Sequence, residues 1–510
     1  MAILGRLIKT AIDLGSSIRE RDRLPLELQR DALRHLLEEA ATTAFGLYYH
    51  FEHMLESDDL QAAFSETVPL HDYDALYERW WHRQEKAPDI TWPGYPPYFA
   101  RTSGTTGVNK YIPVTESMLR SIRRVGIDQA IALSRFELPP QFFEKDILML
   151  GSSARLNAFG QGALEGEISG INAQNMPAWF NTYYKPGKEI AEIDNWDERL
   201  EAIVRAAPQW DVSALAGIPS WIQAMLKAIL AHYGLDTIHD VWPSLRVYVS
   251  GGVAFEPFRS SLNKLMAEPL IYLDTYLASE GFFAYTARPD TLDMRLALEH
   301  GIYYEFIPFD DRGFDGQGNL LDEPEVLHIG QVAEEQEYAL VVSTCAGAWR
   351  YLIGDTVTFT DLRRSELVIS GRTKYFLNVA GSQLSEEKIN RGIRHLADET
   401  GLSINEYAVA ALKDEERDTF YHQWVLGVDT LNGHDPEQLA RQLDRHLKEL
   451  NKNYEVARTK ALGGVQLQMQ PVDRLYDWLE RHKKKGGQIK LPKVMKEADM
   501  RDLLAFLRTG

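Results

Sequence analysis

Apolar positions recur at helical spacing through Leu24, Leu26, Leu28, Leu33, Leu36 and Leu37 with charged residues between them, so the chain up to about residue 65 reads as helices forming a packing platform. Between Trp80 and Tyr98 aromatics and prolines crowd together and end in Pro93-Gly-Tyr-Pro-Pro, which rules out a long helix there. A start signal at Pro113 to Ser117 opens a helix whose apolar face runs through Leu119, Ile122, Val125, Ile127 and Ile131. The run Asp146 to Gly151 reads as a buried strand, Ser220 to Tyr233 as a helix, and Val241 to Ser250 as a second buried strand. Strands alternating with helices predict a largely parallel sheet with covered faces, whose ligands sit beyond the carboxyl ends of the strands. From Tyr303 to Asp361 the segments become short, β-branched or aromatic, and divided by turn residues, which predicts a smaller and mostly antiparallel sheet.

A turn at Gly371 to Lys374 marks the expected domain junction. Beyond it helices (Ser385 to Asp398, Pro436 to Leu450, Val472 to Lys485) alternate with strands (Tyr407 to Leu412, Trp424 to Val428), a compact α+β pattern. The expected organisation is therefore α/β: a large N-terminal domain over residues 1–371, a hinge at 372–376, and a small α+β domain over 377–510.

Composition narrows the class. With 55 basic against 74 acidic residues the formal charge is -19, which argues against a generic nucleic-acid or anionic-membrane surface and requires that any anionic ligand find a local positive pocket. The single cysteine, Cys345, excludes an internal disulfide and reads as a small core residue of a buried strand. Arg6 and Lys9 interrupt the amphipathic start, and no segment approaches about 20 uninterrupted apolar residues, so a cytoplasmic protein with no membrane insertion is expected.

The stretch Thr102 to Lys110, TSGTTGVNK, combines hydroxyl residues, two glycines and a lysine. Glycine lets a backbone turn tightly against a ligand, free amides in such a turn collect anionic oxygens, and lysine adds a point charge; these are the needs of ATP, and equally the look of an exposed turn. The loop empties into the predicted helix, whose N-terminus gives a second reason to expect an anion there. His50 and His53 lie one helical turn apart without a third ligand type nearby, and read as surface histidines. The acidic run Asp310 to Glu325 has the look of a calcium loop, but Gly313 lacks an oxygen side chain, so a solvated hairpin is expected. Lys483, Lys484 and Lys485 read as a solvated basic face.

TSGTTGVNK resembles the first core motif of adenylate-forming enzymes. Tyr276 to Glu280, YLASE, and Tyr351 to Asp355, YLIGD, resemble the second and third motifs of the GH3 family of acyl-acid amido synthetases, in the family's order. Looser similarities at FGLYYHF, GIPSWIQ, YYEFIPF, NKNY and GQIKLPK extend the likeness over nearly the whole chain. Asn109 stands where wider adenylate-forming enzymes have proline, which favours GH3; at Gly381 to Leu384 the chain departs from the usual acidic or lysine residue.

The resemblance implies an ATP- and Mg²⁺-dependent ligase that activates a carboxylic acid as an acyl-adenylate and passes the acyl group to an amine, commonly an amino acid. It implies that Ser103, Gly104, Thr105, Thr106 and Gly107 hold the β- and γ-phosphates and that Lys110 supplies counter-charge. Glu280 would bind Mg²⁺, or otherwise only cap a following helix. Tyr276, Ser279, Gly251 and Gly252 would lie by adenine, although the glycine pair fits a plain strand-end turn nearly as well. Asp355 would accept from the ribose hydroxyls. Arg372 and Lys374 resemble the hinge position, and Lys490 the lysine that a mobile small domain brings to the α-phosphate. The acyl pocket is expected from Trp221, Met225, Phe282 and Phe283, suiting a hydrophobic or aryl acid, though aromatics at helical spacing are more often core. A thiol or alcohol acceptor, or a silent nucleotide- and carboxylate-binding relative, are the alternative readings. The sequence does not speak to oligomeric state.

Overall fold

The computed structural model describes residues 23–103, 109–178, 180–252, 255–315, 318–373, 384, 386–414, 419–431, 433–451, 454–455, 458, 462–481 and 491–508. Its strands are β1 (Tyr98–Ser103), β2 (Asn109–Val114), β3 (Asp146–Leu150), β4 (Asn157–Phe159), β5 (Ala163–Gly166), β6 (Tyr184–Lys185), β7 (Val212–Gly217), β8 (Val247–Gly251), β9 (Ile271–Ala278) and β10 (Gly281–Thr286). They continue as β11 (Met294–Leu296), β12 (Ile302–Pro308), β13 (Leu327–His328), β14 (Glu337–Thr344), β15 (Tyr351–Asp361), β16 (Glu366–Arg372), β17 (Ile404–Asp414), β18 (Thr419–Val428) and β19 (Leu462–Pro471). The helices used below are α1 (Pro25–Ala40), α2 (Leu60–Thr67), α3 (Glu116–Ala132), α4 (Trp196–Ala206), α5 (Pro219–Tyr233), α6 (Glu256–Asn263), α7 (Glu386–Thr400), α8 (Pro436–Leu450), α9 (Val472–Arg481) and α10 (Glu497–Arg508).

One 12-stranded sheet forms the spine, in the order β13-β12-β14-β15-β16-β11-β10-β9-β8-β7-β3-β6. From β9 to β6 neighbouring strands are parallel; from β9 to β13 they are antiparallel. The parallel and antiparallel textures read from the sequence are thus halves of one sheet rather than separate sheets. The reason is local: Ala278 pairs with Gly281 across a tight turn at Ser279–Glu280, so β9 doubles back where a crossover helix was expected.

Each half packs its own core. On the parallel half Leu148, Leu215, Ile222, Met225, Leu226 and Phe258 bury together, with α5 and α6 supplying the covering face. On the antiparallel half the N-terminal helices do this work: Leu33, Leu36 and Leu37 of α1 join Tyr304, Phe306, Leu340 and Val342. Polar side chains fix the register of that contact. Gln29 Nε2 donates to the carbonyls of Leu298 and Ile302, both at 3.0 Å, and its Oε1 accepts from the Tyr304 amide at 2.7 Å. Every polar atom of that buried amide is therefore occupied.

A second sheet, β2-β1-β5-β4, lies outside the spine. β1 and β2 pair antiparallel in register Ser103 with Asn109 and Thr102 with Lys110, so the hydroxyl-glycine loop joins two strands. The helix begins at Glu116, within the start signal Pro113 to Ser117, where the Thr115 side chain accepts from the Met118 amide at 3.1 Å; the strand β2 separates it from the loop. The helix N-terminus therefore does not serve the loop.

Past residue 384 the buried residues form cores of their own. Ile389, Ile393, Tyr407, Trp424, Leu443 and Leu447 make one, and Leu412, Leu475, Trp478, Met500 and Leu503 another, on opposite faces of the sheet β17-β18-β19. β19 and α10 were not expected from the sequence; α7, α8, α9, β17 and β18 were. No described helix is long and apolar enough to cross a membrane.

Candidate active site

The site lies where the sheet changes from parallel to antiparallel. Strand pairing aligns its parts: Asp355 of β15 sits opposite Arg372 of β16, Tyr276 of β9 sits opposite Ala284 of β10, and the β9–β10 turn carries Ser279 and Glu280. Tyr276 donates its hydroxyl to Asp355 at 2.7 Å, and the Arg372 Nε lies 3.0 Å from the other Asp355 oxygen. Burial and the neighbouring Asp355 hold the Tyr276 hydroxyl well above the usual phenol range, so it stays a donor. Asp355 is oriented from both sides.

Glu280 is 8% exposed, and burial, with Asp355 adding to it, pushes its carboxyl up to about 7. Lys110 and Arg372 pull in the other direction through space, but among the described residues no cation forms an ion pair with it. Lys110 instead lies 4.9 Å from the centre of the Tyr73 ring, whose hydroxyl accepts from the Tyr111 amide at 3.0 Å. The Tyr351 hydroxyl faces Glu280 and is itself held far above its ordinary range, first by burial and then by that carboxyl. The expected motif YLIGD contains Tyr351, yet its pattern assigned work only to the aspartate. Glu280 is followed by a strand, so helix capping is not its role.

Gly251 and Gly252 end β8 on the same cleft. A Cβ at Gly251 would lie 2.7 Å from Thr275 Oγ1, which donates to the Ser250 carbonyl at 2.8 Å, and Gly252 has φ +80°. Glycine is thus required by the fold at both positions, whatever ligand approaches them.

A cleft of about 3560 Å³ connects these residues: Lys110, Gly251, Gly252, Tyr276, Ser279, Glu280, Asp355 and Arg372 all line it. Of the four side chains expected in an acyl pocket, Phe282 borders it. Met225 and Phe283 are wholly buried in the two cores, and the Trp221 ring lies tilted against Trp196 with centroids 5.0 Å apart. Gly104, Thr105, Thr106, Gly107, Lys374 and Lys490 lie outside the described residues, as does the side chain of Ser103. The remaining readings follow burial: His50 and His53 are exposed, and burial pushes the Cys345 thiol up to about 12, as for an inert core residue. Asp315 closes the acidic segment as a hairpin by accepting from the Asn319 amide at 2.8 Å.

Comparison with known proteins extends these observations over the chain. Three family models match: the GH3 family N-terminal domain over residues 16–207, the GH3 family central domain over 295–370 and the GH3 family C-terminal domain over 387–499. The indole-3-acetic acid-amido synthetase GH3.2 of Arabidopsis thaliana is 24% identical over 241 residues, covering 44% of this chain and 44% of that protein. The probable indole-3-acetic acid-amido synthetase GH3.6 of Oryza sativa subsp. japonica is 31% identical over 134 residues, covering 25% and 27%. These matches span less than half the length of either relative. Among solved structures, the GH3.15 acyl acid amido synthetase superposes with a TM-score of 0.74 at 14% identity over 94% of this chain and 93% of that one. A 2-hydroxyisobutyryl-CoA ligase superposes with a TM-score of 0.57 at 12% identity over 94% and 91%. Both structural likenesses are likenesses of fold. With family models matching more than half of its length and in chain order, this chain belongs to the GH3 family.

Proposed function

We propose that the protein is an ATP- and Mg²⁺-dependent ligase that activates a carboxylic acid as an acyl-adenylate, releases pyrophosphate, and transfers the acyl group to an amine, in particular an amino acid. The observation that carries this reading is the Glu280 carboxyl, buried beside Lys110 and Arg372 without an ion-pair partner among the described residues, next to Asp355, which Tyr276 and Arg372 orient. Attack of a carboxylate on the α-phosphorus joins two anions, so such a reaction depends on position and on positive charge about the phosphates. An amine acceptor is favoured over a thiol or alcohol because the curated relatives are named amido synthetases.

A buried carboxyl short of a cation fits a divalent metal. Among the described residues no group of three or more His, Cys, Asp or Glu could hold an ion alone, which suits Mg²⁺, commonly bound by one or two carboxylates together with substrate phosphates. When bound, the ion would neutralise charge on the phosphate oxygens. In this reading Ser103, Gly104, Thr105, Thr106, Gly107 and Lys110 hold the phosphates, and Asp355, steadied by Tyr276, accepts from the ribose. Gly251, Gly252 and Ser279 flank adenine, and Lys490 comes to the α-phosphate. Phe282 gives the acid an apolar wall. Residues 372–376 act as the hinge and 377–510 as the mobile domain, supported by the separate cores past residue 384. Incubation with ATP, Mg²⁺ and a panel of aryl and aliphatic carboxylates is expected to release pyrophosphate in an acid-dependent manner. Release with none of them overturns the reading.

A further inference from the structure

Arg199, on α4, is 5% exposed and lines the same cleft as Glu280. Its Nε and Nη1 are buried and make no hydrogen bond among the described residues. What touches the guanidinium is the Trp196 ring, 5.3 Å away at its centroid. Two carboxylates face it, and both are engaged elsewhere: Glu167 accepts from Ser152 Oγ, while Asp194 accepts from Ser153 Oγ at 2.7 Å and from Arg155 Nη1 at 3.0 Å. Their field keeps the cation tolerable without filling its donors. The contrast within the same chain is Arg350, equally buried, which donates to Glu305 at 2.9 Å and to the carbonyls of Ser65 and Val68 at 2.6 Å each. A charged group buried with unmade hydrogen bonds is costly, and a guanidinium's planar fork matches a carboxylate.

The position of Arg199 limits which anion it can meet. It neighbours Tyr184 of β6 and the Ser152–Ser153 segment that follows β3, at the far edge of the parallel half. β9, which leads to Glu280, is three to four strands away in the order β9-β8-β7-β3-β6, roughly 14–19 Å at the usual strand spacing. Across the spine sheet Arg199 therefore lies well away from Glu280 and the Asp355 pair. Met149, Ala216 and Ile218 line the cleft between, an apolar path for a substrate body.

Resting on the ligase reading above, we propose that Arg199 anchors a substrate carboxylate that the reaction does not consume. That carboxylate is either the second acid group of a dicarboxylic substrate or the α-carboxylate of the amino acid acceptor. The test uses full-length protein and paired probes that differ only in the anion. Adipate against hexanoate is followed by acid-dependent ATP–pyrophosphate exchange, and alanine against alaninamide by amide formation. In Arg199→Met the KM of adipate relative to hexanoate is expected to rise about 10- to 100-fold if the acid carries the anion; the KM of alanine relative to alaninamide rises instead if the acceptor does. Equal changes within both pairs, as a purely structural arginine would give, overturn the proposal, as does no change in either. Should the variant fail to fold, the wild type decides: a preference of about tenfold or more for the charged member of one pair supports the anchor, and no preference in either overturns it. If no acid gives pyrophosphate release, the ligase reading falls, while calorimetric titration of adipate and alanine into wild type and Arg199→Met still reads the anchor. Binding lost in the variant supports it, and equal or undetectable binding to both proteins overturns it.

Discussion

Glu280 and Glu305 belong to the same sheet, both buried, and they differ in what reaches their oxygens. Glu305, on β12, meets Arg350 Nε at 2.9 Å, and that arginine also closes the carbonyls of Ser65 and Val68 at the end of α2. Burial raises the Glu305 carboxyl and Arg350 pulls it back. Glu280, in the β9–β10 turn, has Lys110 and Arg372 near but not in contact, and is pushed up to about 7. A carboxylate completed by the protein serves the fold; one left incomplete at the edge of a cleft is open to a ligand. Arg350 and Arg199 repeat the distinction with the opposite sign of charge.

The largest expected effect breaks the completed pair. Arg350→Met leaves Glu305 as a buried charge without a partner and opens two carbonyls, so chemical denaturation is expected to show a loss of about 3–5 kcal/mol. The double variant Arg350→Met/Glu305→Gln recovers part of that loss; a double variant as unstable as the single would show that the carbonyl contacts, and not the ion pair, carry the effect.

Next comes the incomplete carboxyl. Glu280→Gln and Lys110→Ala are each expected to lower acid-dependent pyrophosphate release about 10²- to 10³-fold while circular dichroism stays unchanged. Wild-type turnover in either variant breaks the comparison. The same Glu280→Gln variant sharpens it by pH. A carboxyl raised from 4.5 to about 7 is protonated in the folded chain where the unfolded chain is ionised, so its contribution is present below pH 4.5 and is lost as pH rises through about 7. Wild type should therefore lose up to about 3 kcal/mol of stability relative to Glu280→Gln as pH rises over that window, read as paired denaturation curves at stepped pH. A difference that stays flat would mean Glu280 is ionised in the fold throughout.

Much of the architecture was legible because it is written in short-range periodicity. The helices around Leu33, Leu119 and Leu443 and the strands around Leu148 and Trp424 carry their faces in the local pattern. β19 had a readable signal as well, the alternation Val465, Leu467, Met469 with glutamines between, as did α10 in Met500, Leu503 and Leu507. That a strand, and not a helix, follows the loop between β1 and β2 is set by pairing, which local pattern does not carry: Lys110 belongs to a strand only through Thr102. The joining of two textures into one sheet was hidden for the same reason, since a two-residue turn at Ser279–Glu280 and a loop into a helix look alike until β9 and β10 pair.

The chain by itself determined the residue types and their order, the hydroxyl-glycine loop with its lysine, the glutamate and the aspartate, because a motif is a matter of spacing along the backbone. The tertiary structure alone decided which charges are completed and which are left waiting. Neither Arg199, in the charged stretch WDERLE, nor Arg350, in the aromatic stretch AWRYLI, shows in the sequence whether its donors are met. Whether a guanidinium finds a carboxylate or a cleft depends on residues far away in the chain, and on how much water the fold leaves between them.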